Sequence, residues 1–167
     1  MSIEIEPIGV LYSPFKCLEN MPVQPCGGHE YQATIHIDEK YQEGLADLDG
    51  FSHIYLIYYF HKVSSFKLRV VPFNDKTKQF RGVFSTRTPM HPNSLGLSLV
   101  ELVDVKKNIV TIKGVDIVDQ TPIIDIKPYI PSFDQIKSSV TTGWMQSSDT
   151  EVSYMRSDTR FIDADFI

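Results

Sequence analysis

Residues Phe51–His61, FSHIYLIYYFH, constrain the fold more than any other stretch. In an extended chain Ile54, Leu56, Tyr58 and Phe60 fall on one side, and His53, Tyr55, Ile57, Tyr59 and His61 on the other. Side chains alternate across a strand with a period of two. The run therefore reads as a strand with two apolar or aromatic faces, buried on both sides. Such a strand needs other elements around it, and the rest of the chain supplies mostly strands. Ile3–Leu11, interrupted by Pro7, Tyr31–Ile37, Lys67–Val71 and Gly82–Arg87 are short extended runs bounded by turn residues. Leu95–Val105 and Ile109–Val118 read as an antiparallel pair turning at Lys106-Lys107-Asn108, and Pro122–Lys127 is a last short strand. Tyr41–Leu48 is the best short helix, with Tyr41, Leu45 and Leu48 spaced by four and three, and Gly50 ends it. About seven short strands with one or two short helices predict a mainly β fold, a sandwich or a barrel.

A chain of 167 residues suits a single domain with a core of its own. From Ser138 the sequence turns rich in Ser, Thr and Asp, with scattered apolar residues except around Gly143-Trp144-Met145. The expected division is a domain over 1–137 and an extension over 138–167 packed on the surface or on a partner. No apolar run approaches the roughly 20 residues of a membrane helix, and the N-terminus has no basic region ahead of an apolar one. No membrane association and a cytoplasmic location are the expectation. Cys17 and Cys26 form no disulfide framework and no four-ligand zinc set, and the five histidines show no metal-binding spacing, so no metal is expected. Net charge is −5, unevenly spread: −7 over residues 1–60, +5 over 61–127 and −3 over 128–167. Only the middle segment, with Lys67, Arg69, Lys76, Lys78 and Arg81, is suited to a polyanion.

Three stretches carry unusual chemistry. In MPVQPCGGHE, Met21–Glu30, two adjacent glycines allow close backbone approach and offer amide donors. In FSTRTPMHPNSLGLS, Phe84–Ser98, Arg87 offers a planar fork for carboxylate or phosphate on a loop stiffened by Pro89 and Pro92. In GVDIVDQTPIIDIKPYIP, Gly114–Pro131, three aspartates and Lys127 lie among apolar residues. Charges in such company are normally paired, Asp125 with Lys127 across one strand face and Asp119 within a local turn. No glycine-rich phosphate loop and no nucleophile elbow are present.

Taken in order, IGVLYSPF, QPCGG, GLADLDGFSHIYLIYYFH, GVFSTRTPMHPNSLGLSLVEL and GVDIVDQTPIIDIKPYIP resemble the blocks of the TsaA-like family from about Ile8 to Pro131. That family includes the bacterial enzyme that N6-methylates threonylcarbamoyladenosine in tRNA. The resemblance implies a β-barrel-like domain that binds S-adenosyl-L-methionine, unlike the Rossmann methyltransferases, and a homodimer with cofactor sites near the subunit interface. By position it implies cofactor contacts from Pro25, Cys26 and Gly27, from His61 and Lys62, from Arg87 and Leu97, and from Gln120, Thr121, Pro122 and Ile123. Arg87 is the expected partner of the methionyl carboxylate, and Asp119 and Asp125 are the candidates for a base taking the acceptor's proton.

The chain also departs from the family pattern. Tyr12 and His91 stand where relatives place arginine, DQTP replaces DGTP, and VVPFND replaces a proline–arginine run. The RNA-assisting C-terminal domain of bacterial members has no counterpart in these residues. The expected activity is methyl transfer to tRNA adenosine. A small-molecule or protein acceptor, and a cofactor binder without enzymatic activity, are the alternatives.

Overall fold

The computed structural model describes residues 3–158, 160 and 161. Residues 162–167 of the expected extension lie outside the described residues. Six strands close a barrel: β1 (Gly9–Tyr12), β2 (Gln32–Ile37), β3 (His53–Tyr59), β6 (Leu95–Lys106), β7 (Ile109–Lys113) and β8 (Thr121–Pro128). The order around it is β1-β2-β7-β6-β3-β8, every pair antiparallel, so no barrel strand leaves an open edge. Two further strands, β4 (Arg69–Val70) and β5 (Arg81–Gly82), pair apart from the barrel as a small flap.

Alternation explains the closure. Leu11, Ile35, Ile54, Leu56, Val100, Ile112 and Ile123 point inward and are almost wholly buried, filling a lumen with side chains. The twelve-residue strand β6 alternates strictly over its first eight residues, Gly96, Ser98, Val100 and Leu102 inward and Leu95, Leu97, Leu99 and Glu101 outward. Contact requires glycine at position 96. A Cβ on Gly96 would lie 2.2 Å from the ring of Tyr58, its partner on β3, so only glycine lets that ring lie against the strand.

Several expectations need correction. The central strand is not buried on both sides: Ile54, Leu56 and Tyr58 are, but His53, Tyr55 and Ile57 are half-buried and Tyr59 is exposed. The barrel wall has lumen on one side only, as antiparallel sheets commonly do. The expected helix Tyr41–Leu48 is instead two 3₁₀ segments, Glu39–Leu45 and Leu48–Gly50, broken by Asp47 at φ 64°. The first strand begins at Gly9, after Pro7 rather than across it. The strand expected over Ile109–Val118 stops at Lys113, because Gly114 at φ 83° turns the chain. Gly82–Arg87 gives one strand residue and then a 3₁₀ turn, Val83–Ser85.

Two short helices, α1 (Pro131–Asp134) and α2 (Asp149–Ser153), follow the barrel. α2 carries a capping box in which Ser148 and Glu151 exchange side-chain and backbone hydrogen bonds. The tail around α2 is fastened to the first long loop. Ser157 donates its N–H to the Met21 carbonyl at 2.8 Å, its hydroxyl accepts from the Met21 N–H at 3.0 Å, and Pro22 bridges to Arg156.

Candidate functional site

A cleft of about 850 Å³ opens where β3 ends and β6 begins. Its walls come from six separate stretches: the loop from Leu18 to Cys26, the end of β3 at Tyr58 and Phe60, Pro72 to Asn74, the loop from Phe84 to Leu97, Asp116, and the tail from Thr142 to Phe161. Beneath it lies an inner chamber of about 100 Å³. That chamber is lined largely by apolar residues such as Val63, Phe73, Ile117 and Val118, with His61 and Thr121 at its side. A cleft of this size is in the range that holds a cofactor-sized molecule.

Most of the expected contact residues converge here. Pro25, Cys26, Arg87 and Leu97 line the cleft, and His61, Lys62 and Thr121 line the chamber. Gly27, Gln120, Pro122 and Ile123 line neither. Gly27 is buried in the 3₁₀ turn Pro25–Gly27, where a Cβ would meet the Ser153 carbonyl at 2.8 Å. Its glycine therefore serves the docking of the tail. Ile123 faces the barrel core, and Gln120 is an exposed turn residue at φ 63°, the left-handed conformation that favours glycine.

The two aspartates expected to act as bases sit elsewhere. Asp119 accepts the Ser13 N–H at 3.0 Å and pairs with Lys16 at 2.8 Å, and it is also hydrogen-bonded to the side chain of the neighbouring Gln120. Burial opposes its ionisation, but the Lys16 ammonium and the Ser13 amide outweigh that and hold its pKa below the usual value. Asp125 pairs with Lys127 at 2.8 Å and accepts the Ile126 N–H, the ion pair expected from their shared face. Neither lines the cleft or the chamber.

The acid that does line both cavities is Asp116. Its Oδ1 accepts the Ser98 hydroxyl at 3.0 Å, and Ser98 is hydrogen-bonded in turn to the Tyr58 hydroxyl at 3.1 Å. Burial pushes the Asp116 carboxyl up to about 6, against the pull of the Ser98 hydrogen bond and the more distant Arg87 charge. Burial likewise raises the Tyr58 phenol, with the Asp116 charge adding to it. A carboxylate with a pKa near neutrality in a cleft is a candidate acid–base group. Sequence spacing placed it among three similar aspartates; only the position of Asp119 and Asp125 on other partners singles it out.

Arg87 is exposed on the cleft wall and, among the described residues, holds no ion pair. The loop carrying it is built by local bonds. Thr86 donates to the Val83 carbonyl, the His91 ring donates to the Thr86 carbonyl at 3.1 Å, and Phe84 meets His91 edge-on at 5.8 Å. His91, which departs from the family arginine, thus shapes this loop. His61 keeps a buried Nδ1 with no hydrogen-bond partner among the described residues, and burial, then the Lys62 charge, lower its pKa. A free guanidinium, an orphaned ring nitrogen and an apolar chamber fit a ligand with an anionic end and a heteroaromatic body, as S-adenosyl-L-methionine has.

The tail's part in the cleft went unrecognised at the sequence level, although Gly143-Trp144-Met145 marked its only apolar cluster. Trp144 donates its indole N–H to the Ser85 carbonyl at 2.8 Å and lies over Arg81 at 5.3 Å. Asn74 donates to the Met145 sulfur, and Lys76 pairs with Glu151 at 2.6 Å. The Lys76 pairing brings the Glu151 carboxyl down to about 2. Among the described residues no group of three His, Cys, Asp or Glu side chains is placed to hold a metal ion, and no helix is long and apolar enough to cross a membrane.

Comparison with known proteins shows the family. The family model described as "tRNA-methyltransferase O N-terminal domain" matches residues 10–135. A probable S-adenosyl-L-methionine-binding protein of Pyrococcus abyssi is 41% identical over 160 residues, spanning 96% of this chain and 85% of that one. The tRNA (adenine(37)-N6)-methyltransferase of Escherichia coli is 36% identical over 138 residues, covering 78% of this chain but only 59% of the relative. The crystal structure of TrmO from Pseudomonas aeruginosa superposes with a TM-score of 0.69 at 30% identity, over 84% of this chain and 62% of that one. The chain belongs to the TsaA-like family, the one whose domain is described as the tRNA-methyltransferase O N-terminal domain.

Proposed function

We propose that this protein methylates N6 of a modified adenosine, threonylcarbamoyladenosine, in tRNA, with S-adenosyl-L-methionine held in the cleft. The coarser reading, an S-adenosyl-L-methionine-dependent methyltransferase, follows from family membership and from the named activities of its relatives. The observation that carries the assignment of the site is the convergence of the unpaired Arg87 and the carboxyl of Asp116 on one cleft. Arg87 takes the carboxylate end of the cofactor, and the inner chamber with its orphaned His61 nitrogen takes the heteroaromatic end. When bound, that cofactor supplies an electrophilic methyl group on a sulfonium. The walls hold the two reactants together, which is the larger part of what a methyl transfer needs. An acceptor nitrogen must shed a proton as it gains the methyl, and Asp116, ionised above about pH 6, accepts it while Ser98 holds the carboxylate in place.

The protein acts as a homodimer in this reading. The outward faces of β3 and β6 pair Tyr55 with Leu99, Ile57 with Leu97 and Tyr59 with Leu95, an apolar strip whose Leu97 is 53% exposed. The strip runs to the lip of the cleft, since Leu95 and Leu97 also line it, so a second copy seated there lies beside the site. Methyl transfer from labelled cofactor to bulk tRNA, with calorimetry of cofactor binding, tests the proposal. Transfer to N6 of the modified adenosine is expected. Cofactor binding without transfer to any tRNA moves the acceptor to a small molecule or a protein, and no binding at millimolar cofactor refutes the site.

A further inference from the structure

The flap formed by β4 and β5 has two unlike faces. On one side Val70 of β4 packs with Val63, Met90 and Phe161 of the tail into a small second core. The residues flanking its strands expose Phe66, Leu68, Phe80 and Phe84 at 57, 62, 64 and 77%. Among the described residues Phe84 meets only the edge of His91, and four large apolar side chains this exposed on so short a segment exceed what an ordinary surface requires. Cations lie among them. Residues 62–87 hold seven basic residues and a single acid, Asp75, a balance of +6 in a chain of net charge −5. That acid is turned inward: Asp75 is buried and accepts from Arg81 Nε at 2.7 Å and from Thr77. Lys67 and Lys78 are exposed and, among the described residues, make no ion pair. Arg69 donates to the Phe80 carbonyl across the flap, and Trp144 of the tail donates to the Ser85 carbonyl and lies against Arg81. It is continuous with the cleft through Phe84 and Arg87, which stand on the cleft wall.

We propose that the outer face of the β4–β5 flap is the docking surface for single-stranded RNA, whose unpaired bases stack on Phe66 and Phe80 while Lys67 and Lys78 meet its phosphates. Exposed rings interleaved with free cations, beside a cleft deep enough for a flipped-out base, match what unpaired nucleotides need. A protein partner would account for the rings but not for the local excess of positive charge, and an anionic membrane would not require a rigid platform at the mouth of a cleft. This inference rests on the tRNA reading above and extends it to the place where the RNA lies.

The test measures fluorescence anisotropy of a labelled RNA hairpin carrying the anticodon loop, across a range of salt, with the full chain and two variants. These are Lys67→Gln with Lys78→Gln, and Phe80→Ser. The double lysine variant is expected to weaken RNA binding at least tenfold and to lower the salt slope by about 2. Phe80→Ser is expected to weaken binding roughly tenfold with little change in slope. Cofactor affinity measured by calorimetry should stay within twofold in both, which also shows that both fold. Unchanged RNA affinity in both variants overturns the inference, as does tighter flap-dependent binding to phosphatidylserine vesicles than to RNA. Flap-dependent RNA binding without methyl transfer to any tRNA would leave this surface standing and refute the tRNA-methylation reading instead.

Discussion

The barrel and the cleft are built by different means. The barrel is a closed ladder of antiparallel pairs around side chains that alternate in and out, so each strand's pattern and its neighbours' backbone bonds specify it together. The cleft has few such ladders. Its walls are loops and a tail joined by single side-chain bonds between residues far apart in sequence, such as Met21 with Ser157 and Ser85 with Trp144. Stability should therefore reside in the barrel, and binding chemistry in the segments that contribute least to it.

Truncating the barrel core should give the largest effect. Leu56→Ala empties a fully buried position and is expected to cost about 2–5 kcal/mol in urea unfolding. A loss below about 1 kcal/mol would mean that the lumen is looser than its burial indicates. Asp116→Asn should separate stability from function. Burial raises the pKa of this carboxyl, so its ionised form is disfavoured by folding and its contribution is lost as pH climbs from about 4 through about 6. The asparagine variant should then be more stable than its parent above pH 6, by at most about 3 kcal/mol and less because the group is only partly buried, with no advantage at pH 4. Methyl transfer should fall about a hundredfold and lose its acid limb near pH 6. A retained limb would remove Asp116 from proton transfer.

Arg87→Ala is expected to weaken cofactor binding tenfold or more while leaving the melting temperature unchanged, because among the described residues the guanidinium holds no ion pair. Unchanged affinity in calorimetry would refute its role. The smallest effect concerns Gln120. Glycine there relieves a left-handed φ of 63° at a cost in chain entropy, so Gln120→Gly should be neutral or stabilising by less than about 1 kcal/mol. Destabilisation would show that the Gln120 side chain itself holds the turn ahead of β8.

Much of the barrel was legible because alternation is a local signal. Leu95–Val105, for example, is the strand that forms, to within one residue. Where a single residue redirected the chain, pattern failed: Asp47 broke the expected helix and Gly114 ended a strand early. At the cavities, Arg87 and Pro25 on the cleft and His61 on the chamber were named through motifs on contiguous blocks. Asp116 was not singled out from Asp119 and Asp125, because all three sit in similar local sequence and differ only in what the fold brings near them. Lys16 lies more than a hundred positions before Asp119, and Ser98 reaches Asp116 only across the closed barrel. The tail gave no periodic signal, since its anchors are single hydrogen bonds rather than an apolar face.

The fastening of the tail also sets an order of assembly. The strand that closes the barrel, β8, ends at Pro128, whereas the residues that finish the cleft begin at Thr142. As the chain is synthesised from its N-terminus, the barrel strands are complete before Trp144, Val152 and Phe161 exist to wall the cleft. The protein can thus acquire its scaffold first and its binding capacity afterwards, in a late step that makes the last-made segment a checkpoint for activity rather than for folding.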